Sequence, residues 1–276
     1  MSEQRRRPAR LEIGQEVVRT PETIFEEAHG KAIRRPMRGR VDYIHPMGRF
    51  HIVAFKVRGK IIKETFQGVE VSTMDRKAEF MKIWTERVQR EYADDLLAWL
   101  ERETDFFEAP ASTRHHGAHP GGLLDHSLNV YHRLRAIVCV ETYGATTSDL
   151  LAEDVEETVA VLALLHDVCK VNCYHTETRR RKNPETGYWE DYQTYAFRDP
   201  LPLGHGEKSL YLIQRHMDLE PEEALAIRWH MGAYDNAAKG DGRALSAAMA
   251  ASPWVWRLQQ ADMCAAWVDE REAAEE

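Results

Sequence analysis

Ten of the 13 histidines fall between His115 and His230, and several stand beside carboxylates in apolar surroundings. The run Thr158-Val159-Ala160-Val161-Leu162-Ala163-Leu164-Leu165 is apolar on every face and predicts a central buried helix, and His166 and Asp167 follow it directly. An imidazole and a carboxylate at the end of a buried helix are costly unless their charge is compensated. A divalent metal ion compensates it most economically, and a capped or salt-bridged His–Asp pair is the alternative. Other residues point to the same chemistry. His126 lies one turn into a helix opened by Gly121-Gly122-Leu123-Leu124, His205 starts a helix after Leu203-Gly204, and His230 ends the helix Ala224 to Trp229. Asp262 interrupts an apolar helical stripe, where an unpaired carboxylate is unfavourable.

The elements Gly121-Gly122-Leu123-Leu124-Asp125-His126-Ser127 and Leu164-Leu165-His166-Asp167-Val168-Cys169-Lys170, followed by His205, His230 and Asp262, give the order H…HD…H…H…D. This order resembles the HD superfamily of metal-dependent phosphohydrolases, over about Asp75 to Arg271. The resemblance implies a helical bundle around one or two divalent metals. Residue by residue, His126, His166, Asp167 and Asp262 match the ligands of a first metal, and Asp167 would bridge to a second held by His205 and His230. Nitrogen and carboxylate ligands suit Fe, Mn, Co, Ni or Zn. Where some two-metal members carry a His-His pair, this chain has His230-Met231.

Asp167 and Lys170 are the expected catalytic residues, Lys170 matching the lysine that often follows the HD pair and also contacting substrate by neutralising phosphate oxygens. His116 and Arg114, just before the first metal helix, are the other expected substrate contacts. Glu207 and Lys208 are weaker candidates, because charged residues in the first turn after His205 are usually solvated, and His29, His45, His51, His132, His175 and His216 are read as structural or exposed. The implied activity is hydrolysis, by metal-activated water, of a phosphoester in a nucleotide, a cyclic or dinucleotide, or a nucleic-acid end. The same ligand order also resembles the di-iron oxygenases of the superfamily, and a regulatory module that only binds nucleotide is a third reading.

These residues need elements to hold them. Helical periodicity predicts helices at Asp75–Glu103, Gly122–Glu141, Asp154–Val168, Glu207–His216, Pro221–His230 and Pro253–Arg271. Between the second and third of the later helices, polar residues from Tyr174, a turn at Asn183-Pro184-Glu185-Thr186-Gly187 and alternating aromatics up to Phe197 predict an inserted β-hairpin. Its run Arg179-Arg180-Arg181-Lys182 either guides an anionic substrate or is a solvated tip. Before Met74, residues Met37 to Glu70 predict about three strands. The fold class is therefore mainly α: an HD-type helical bundle with an inserted β-hairpin and a small N-terminal β module. The expected division is 1–73 for the β module with its N-terminal extension, 74–271 for the helical metal domain and 272–276 for an acidic tail, with Asp269 onward a frayed helix end.

Charge divides the chain in the same way. Residues 1–70 hold 15 Lys+Arg and 9 Asp+Glu, leaving 22 and 36 for the rest of a chain whose net charge is −8. The basic module, with Arg38, Arg40, Arg49, Lys56, Arg58, Lys60 and Lys63, could face nucleic acid with Tyr43 and Phe50 as stacking groups, or simply be a solvated sheet. With 43% hydrophobic and 30% charged residues and no apolar run near about 20 residues, a membrane span is excluded. Met1 to Arg7 runs into Pro8 rather than an apolar segment, which is unlike a secretory signal and points to the cytoplasm. Four irregularly spaced cysteines predict reduced thiols, not a disulfide framework.

Overall fold

A computed structural model describes residues 11, 13–24, 26–28, 31–44, 50–57, 59–67, 73–114, 117–146, 150–183 and 187–270. The chain forms two compact units that divide between Asp75 and Arg76. Strands of the first unit are β1 (Glu16–Arg19), β2 (Glu26–Ala28), β3 (Lys31–Ile33), β4 (Met37–Ile44), β5 (Phe50–Val57) and β6 (Lys60–Gln67). An antiparallel sheet runs β1-β4-β5-β6, and β2 pairs with β3 in a separate ladder. The meander β4 to β6 is the one that the β-branched and aromatic runs predict. The first three strands are short and charged, so alternation gives them no signal. A small core of Val17, Val41, Val53 and Phe55 backs the sheet. The rings of Tyr43 and Phe50 lie 5.9 Å apart and so pack on each other; Arg49 and Arg58 lie outside the described residues.

In the second unit the long first helix expected from periodicity is two helices, α1 (Thr73–Arg87) and α2 (Ala93–Glu103). The break has a local cause. The backbone N–H groups of Gln89 and Arg90 donate to Glu157 at 2.7 and 3.0 Å, and the Arg90 guanidinium is drawn onto Glu223 at 2.6 Å. Tyr92 then takes a left-handed backbone (φ 64°) before α2 begins. Apolar spacing continues across this junction, since Val88 and Leu96 are both buried, and periodicity therefore could not see it.

The bundle continues with α3 (Gly122–Tyr143), α4 (Glu153–Leu165), the hairpin β7 (Tyr174–Lys182) and β8 (Trp189–Phe197), then α5 (His205–Gln214), α6 (Pro221–Trp229), α7 (Asn236–Gly240), α8 (Arg243–Ala251) and α9 (Pro253–Cys264). Helix α4 is central: Val159 to Leu165 are all fully buried in the main core. The short α7 and Ala-rich α8 have too little apolar contrast to be read from sequence. Helix α9 does not run on to Arg271. After Cys264 it widens into a π-turn over Ala265–Asp269, with Glu270 N donating to Ala265 O at 3.0 Å.

The hairpin pairs in continuous register from Tyr174↔Phe197 to Lys182↔Trp189. Its arginines are ion-paired along the ladder, Arg179 with Glu177, Arg180 with Asp191 (3.2 Å) and Arg181 with Glu190 (2.7 Å). The arrangement is that of a solvated ladder of paired charges. Among the described residues, no helix is long and apolar enough to cross a membrane, and Cys139, Cys169, Cys173 and Cys264 are free thiols.

Candidate metal centre

Two glycines let the bundle close tightly around its chemistry. A Cβ on Gly122 would lie 1.9 Å from the Gly117 carbonyl oxygen, so only glycine lets the chain enter α3 there, one turn before His126. A Cβ on Gly206 would lie 2.1 Å from the Arg228 carbonyl oxygen. That close approach of α5 to the end of α6 sets the His205 and His230 rings 5.2 Å apart.

Six sequence-predicted residues meet at this end of the bundle. His126 Nε2 is 3.2 Å from Asp262 Oδ1, 3.3 Å from His166 Nε2 and 3.5 Å from Asp167 Oδ2. His166 Nε2 is 3.6 Å from the same Oδ2. The other oxygen, Oδ1, faces His205 Nε2 at 2.7 Å and His230 Nε2 at 3.6 Å. Lys170 Nζ donates to Asp167 Oδ2 at 2.6 Å. His126, His166, Asp167 and His230 are buried, and His205 and Asp262 are half-buried.

Backbone and carboxylate partners decide which ring nitrogens face inward. His166 Nδ1 is 2.9 Å from the Ala163 carbonyl and His230 Nδ1 is 2.7 Å from the Ile227 carbonyl, so both carry the proton on Nδ1 and turn an Nε2 lone pair into the cluster. His126 Nδ1 lies 3.0 Å from Glu270 Oε1. His230 Nε2 is fully buried without a hydrogen-bond partner. Inward imidazole lone pairs facing two carboxylates repel one another unless a cation lies between them.

The spacing suits such a cation. Ligand atoms about 2.1 Å from one ion stand about 3.0 Å apart in octahedral geometry and about 3.4 Å apart in tetrahedral geometry, and the separations above, 2.7 to 3.6 Å, lie around these values. Two overlapping groups, His126–His166–Asp262 and His166–Asp167–His230, each bring their ligand atoms within 4.8 Å of one another. The residues therefore fit a divalent metal.

Electrostatics tells the same story. Burial lowers the His126 imidazole, yet the Glu270 and Asp262 carboxylates overcome it and push the group up to about 10. Burial dominates at His166 and holds it down to about 4. Asp167 resists burial through the charges of Lys170 and His166 and stays well below the usual carboxylate range. Lys170, half-buried and paired with Asp167, is raised.

Sequence reasoning missed several residues of this centre. Glu270, read as part of a frayed end, is nearly buried; the π-turn carries it onto His126 and onto Asn129, whose Nδ2 donates at 2.8 Å. The neighbouring Asp269 is buried against Arg133. Arg76 completes the chain of contacts, donating to Asn129 Oδ1 at 2.9 Å and to Asp125 Oδ1 at 2.8 Å. Ser209 donates to the His166 carbonyl at 2.6 Å and accepts from Cys169 N at 3.2 Å, tying α5 to the HD turn.

Lys208, expected to be solvated, is buried and donates to Asp199 at 2.5 Å and to Cys173 Sγ at 3.1 Å. Glu207 pairs with Arg228 at 2.5 Å. Arg114 is exposed in the loop before α3, and His116 lies outside the described residues. Of the remaining histidines, His51 is buried beneath Phe66 and His132 pairs with Glu79 at 2.7 Å.

Helices that converge histidine and aspartate side chains on one cation-demanding point define a helical domain built to bind metal. The HD domain family model matches residues 123–267, just over half of the chain, and the chain belongs to the HD domain family, a superfamily of metal-dependent hydrolases. No match was found among curated proteins or solved structures.

Proposed function

We propose that the chain is a metal-dependent phosphohydrolase acting on a phosphoester of a nucleotide or a related phosphorylated molecule. The observation that carries this reading is the buried, partnerless His230 Nε2 beside Asp167, in a cluster whose other imidazoles also turn Nε2 inward. His126, His166, Asp262 and Asp167 would hold one ion, and Asp167, His205 and His230 a second. Bound divalent ions supply the positive charge that makes water a nucleophile near neutral pH and polarises a phosphoryl group.

The chain's own residues do the rest. Asp167 presents one oxygen to each half of the cluster. Glu270 and the two backbone carbonyls keep the imidazole lone pairs inward. Lys170 lines the adjoining cavity, and a lysine has three donors, so while one serves Asp167 another is free to meet a phosphoryl oxygen as charge develops. Ser112 and Thr113 also line this cavity.

Metal analysis and a phosphoester panel test this reading. Asp167→Ala should lose most bound metal, whereas His230→Ala should retain about one ion and lose most activity. Cleavage should persist without dioxygen and with Mn²⁺, and Lys170→Ala should lower it at least roughly a hundredfold. Unchanged metal content in Asp167→Ala, or cleavage that requires dioxygen, overturns the assignment.

A further inference from the structure

Cys169 stands two residues after Asp167, in the 3₁₀ turn Val168–Lys170, and is buried. Its sulfur belongs to a group that the order H…HD…H…H…D does not contain. Asp167, Cys169 and His205 each offer one ligand atom, and the three atoms lie within 4.8 Å of one another. Among the described residues Cys169 is the one cysteine in such a group; Cys173, as deeply buried, meets Lys208 instead.

The local fold holds this sulfur beside its two neighbours. Side chains three residues apart eclipse in a 3₁₀ turn, and Lys170 Nζ accordingly reaches Asp167 Oδ2 at 2.6 Å. That leaves Oδ1 to face His205 at 2.7 Å. Cys169 N donates to Ser209 Oγ at 3.2 Å, and Ser209 lies four residues after His205, one turn along the same face of α5. The helix that brings the imidazole therefore also anchors the backbone of the cysteine, the kind of support that fixes metal ligands.

A buried thiol is ordinarily a small apolar filler. This one adjoins a carboxylate and an imidazole, on the side of Asp167 where His230 Nε2, buried and without a hydrogen-bond partner, lies 3.6 Å from Oδ1. With zinc–sulfur at about 2.3 Å and zinc–nitrogen or zinc–oxygen at about 2.1 Å, a tetrahedral shell places sulfur about 3.6 Å from the other ligand atoms. The 4.8 Å span of the group admits that shell. Cys169 and His205 also line a common cavity of about 530 Å³, which gives an ion a way to reach them.

We propose that Cys169 is a thiolate ligand of the second ion, which is thus held by sulfur as well as by Asp167, His205 and His230. This rests on the two-ion part of the phosphohydrolase reading and departs from a shell of nitrogen and oxygen alone. On coordination the thiol releases its proton to solvent and the sulfur lone pair binds the metal, with nothing oxidised or reduced. Thiolate favours zinc over manganese, which prefers oxygen ligands, so Cys169 selects the metal.

The test uses the full chain stripped of metal and titrated with Co²⁺. A near-ultraviolet sulfur-to-cobalt charge-transfer band should appear and saturate with one ion. Cys169→Ser should abolish it, and Cys173→Ser should keep it. Chelator competition should show the preference for Zn²⁺ over Mn²⁺ at the second site reduced at least roughly tenfold in Cys169→Ser, because even the loss of a ligand's supporting partner costs that much. X-ray absorption of the zinc-loaded wild-type protein needs no variant and should show sulfur about 2.3 Å from zinc, about one sulfur for two ions.

Ions bound with neither a charge-transfer band nor a sulfur neighbour overturn the thiolate and leave the hydrolase standing. A band that survives Cys169→Ser, or that vanishes in folded Cys173→Ser, overturns the assignment to this cysteine. If Cys169→Ser does not fold, the sulfur shell of the wild-type protein and its retention in Cys173→Ser decide the matter in the same way. The expected band without cleavage of any phosphoester upholds the thiolate and removes the hydrolase reading, and failure to bind either Co²⁺ or Zn²⁺ removes both.

Discussion

His126, His166 and His230 each have Nδ1 held by an oxygen outside the cluster and Nε2 turned into it, and only His126 uses a carboxylate for this. An anionic partner raises the basicity of the imidazole as well as orienting it. Glu270→Gln should therefore weaken metal affinity about 10- to 100-fold by chelator competition while keeping the fold; unchanged affinity would show that Glu270 only packs. A second charged residue predicts pH dependence. Burial opposes ionisation of Glu79, but the His132 hydrogen bond and the charge of Arg76 overcome it and hold the carboxyl below its ordinary value. A carboxyl depressed by folding stabilises the native state above its unfolded value of about 4.3, and that contribution drains as pH falls through the lower folded value. Melting curves should show Glu79→Gln less stable than wild type near neutral pH, with the gap closing in acid. A gap that widened in acid would reverse the sign.

At the scale of elements, local hydrogen bonding overrides periodicity in two places. Glu157 captures the backbone N–H groups that would have continued α1, and the π-turn after α9 re-aims Asp269 and Glu270. In a regular helix Glu270, eight residues beyond Asp262, would lie about 80° around the axis from it. The inserted residue of a π-turn changes that phase, which is why spacing did not nominate Glu270. The α5–α6 contact yields its own prediction. Gly206→Ala must push α5 off the Arg228 carbonyl, an overpacking cost of about 1–3 kcal/mol, and should also separate His205 from His230. A lowered melting temperature together with loss of about one bound metal is the expected outcome; loss of stability with full metal content would mean that the His205–His230 pairing tolerates the shift.

At the scale of the whole molecule, each unit has its own core and its own charge. The sheet of the first unit carries Arg38, Arg40, Lys56 and Lys63 on one face, as the pairing Arg40↔Ala54↔Lys63 requires. Lys63 is paired with Asp42 at 2.7 Å, and if the face meets single-stranded nucleic acid it can make at most about four phosphate contacts. With a slope of about −0.7 per contact, affinity should fall roughly 50-fold between 50 and 200 mM salt. Fluorescence anisotropy of a labelled oligonucleotide measures this, and salt-insensitive or absent binding would leave the face as a solvated surface.

The sequence by itself determined the helical class, the inserted hairpin, the strand meander before Met74 and the six convergent residues His126, His166, Asp167, His205, His230 and Asp262. The elements were legible from apolar periodicity and turn residues, and the six residues from polar groups in apolar surroundings together with the H…HD…H…H…D order that resembles the HD superfamily. Only the tertiary structure decided the rest. Glu157 lies more than sixty residues from the backbone it caps, Glu270 lies 144 residues from the imidazole it orients, and Lys208 meets Asp199 across the turn into α5. A charged side chain reads as solvated until folding brings its partner close enough to repay desolvation, and no spacing along the chain encodes that distance.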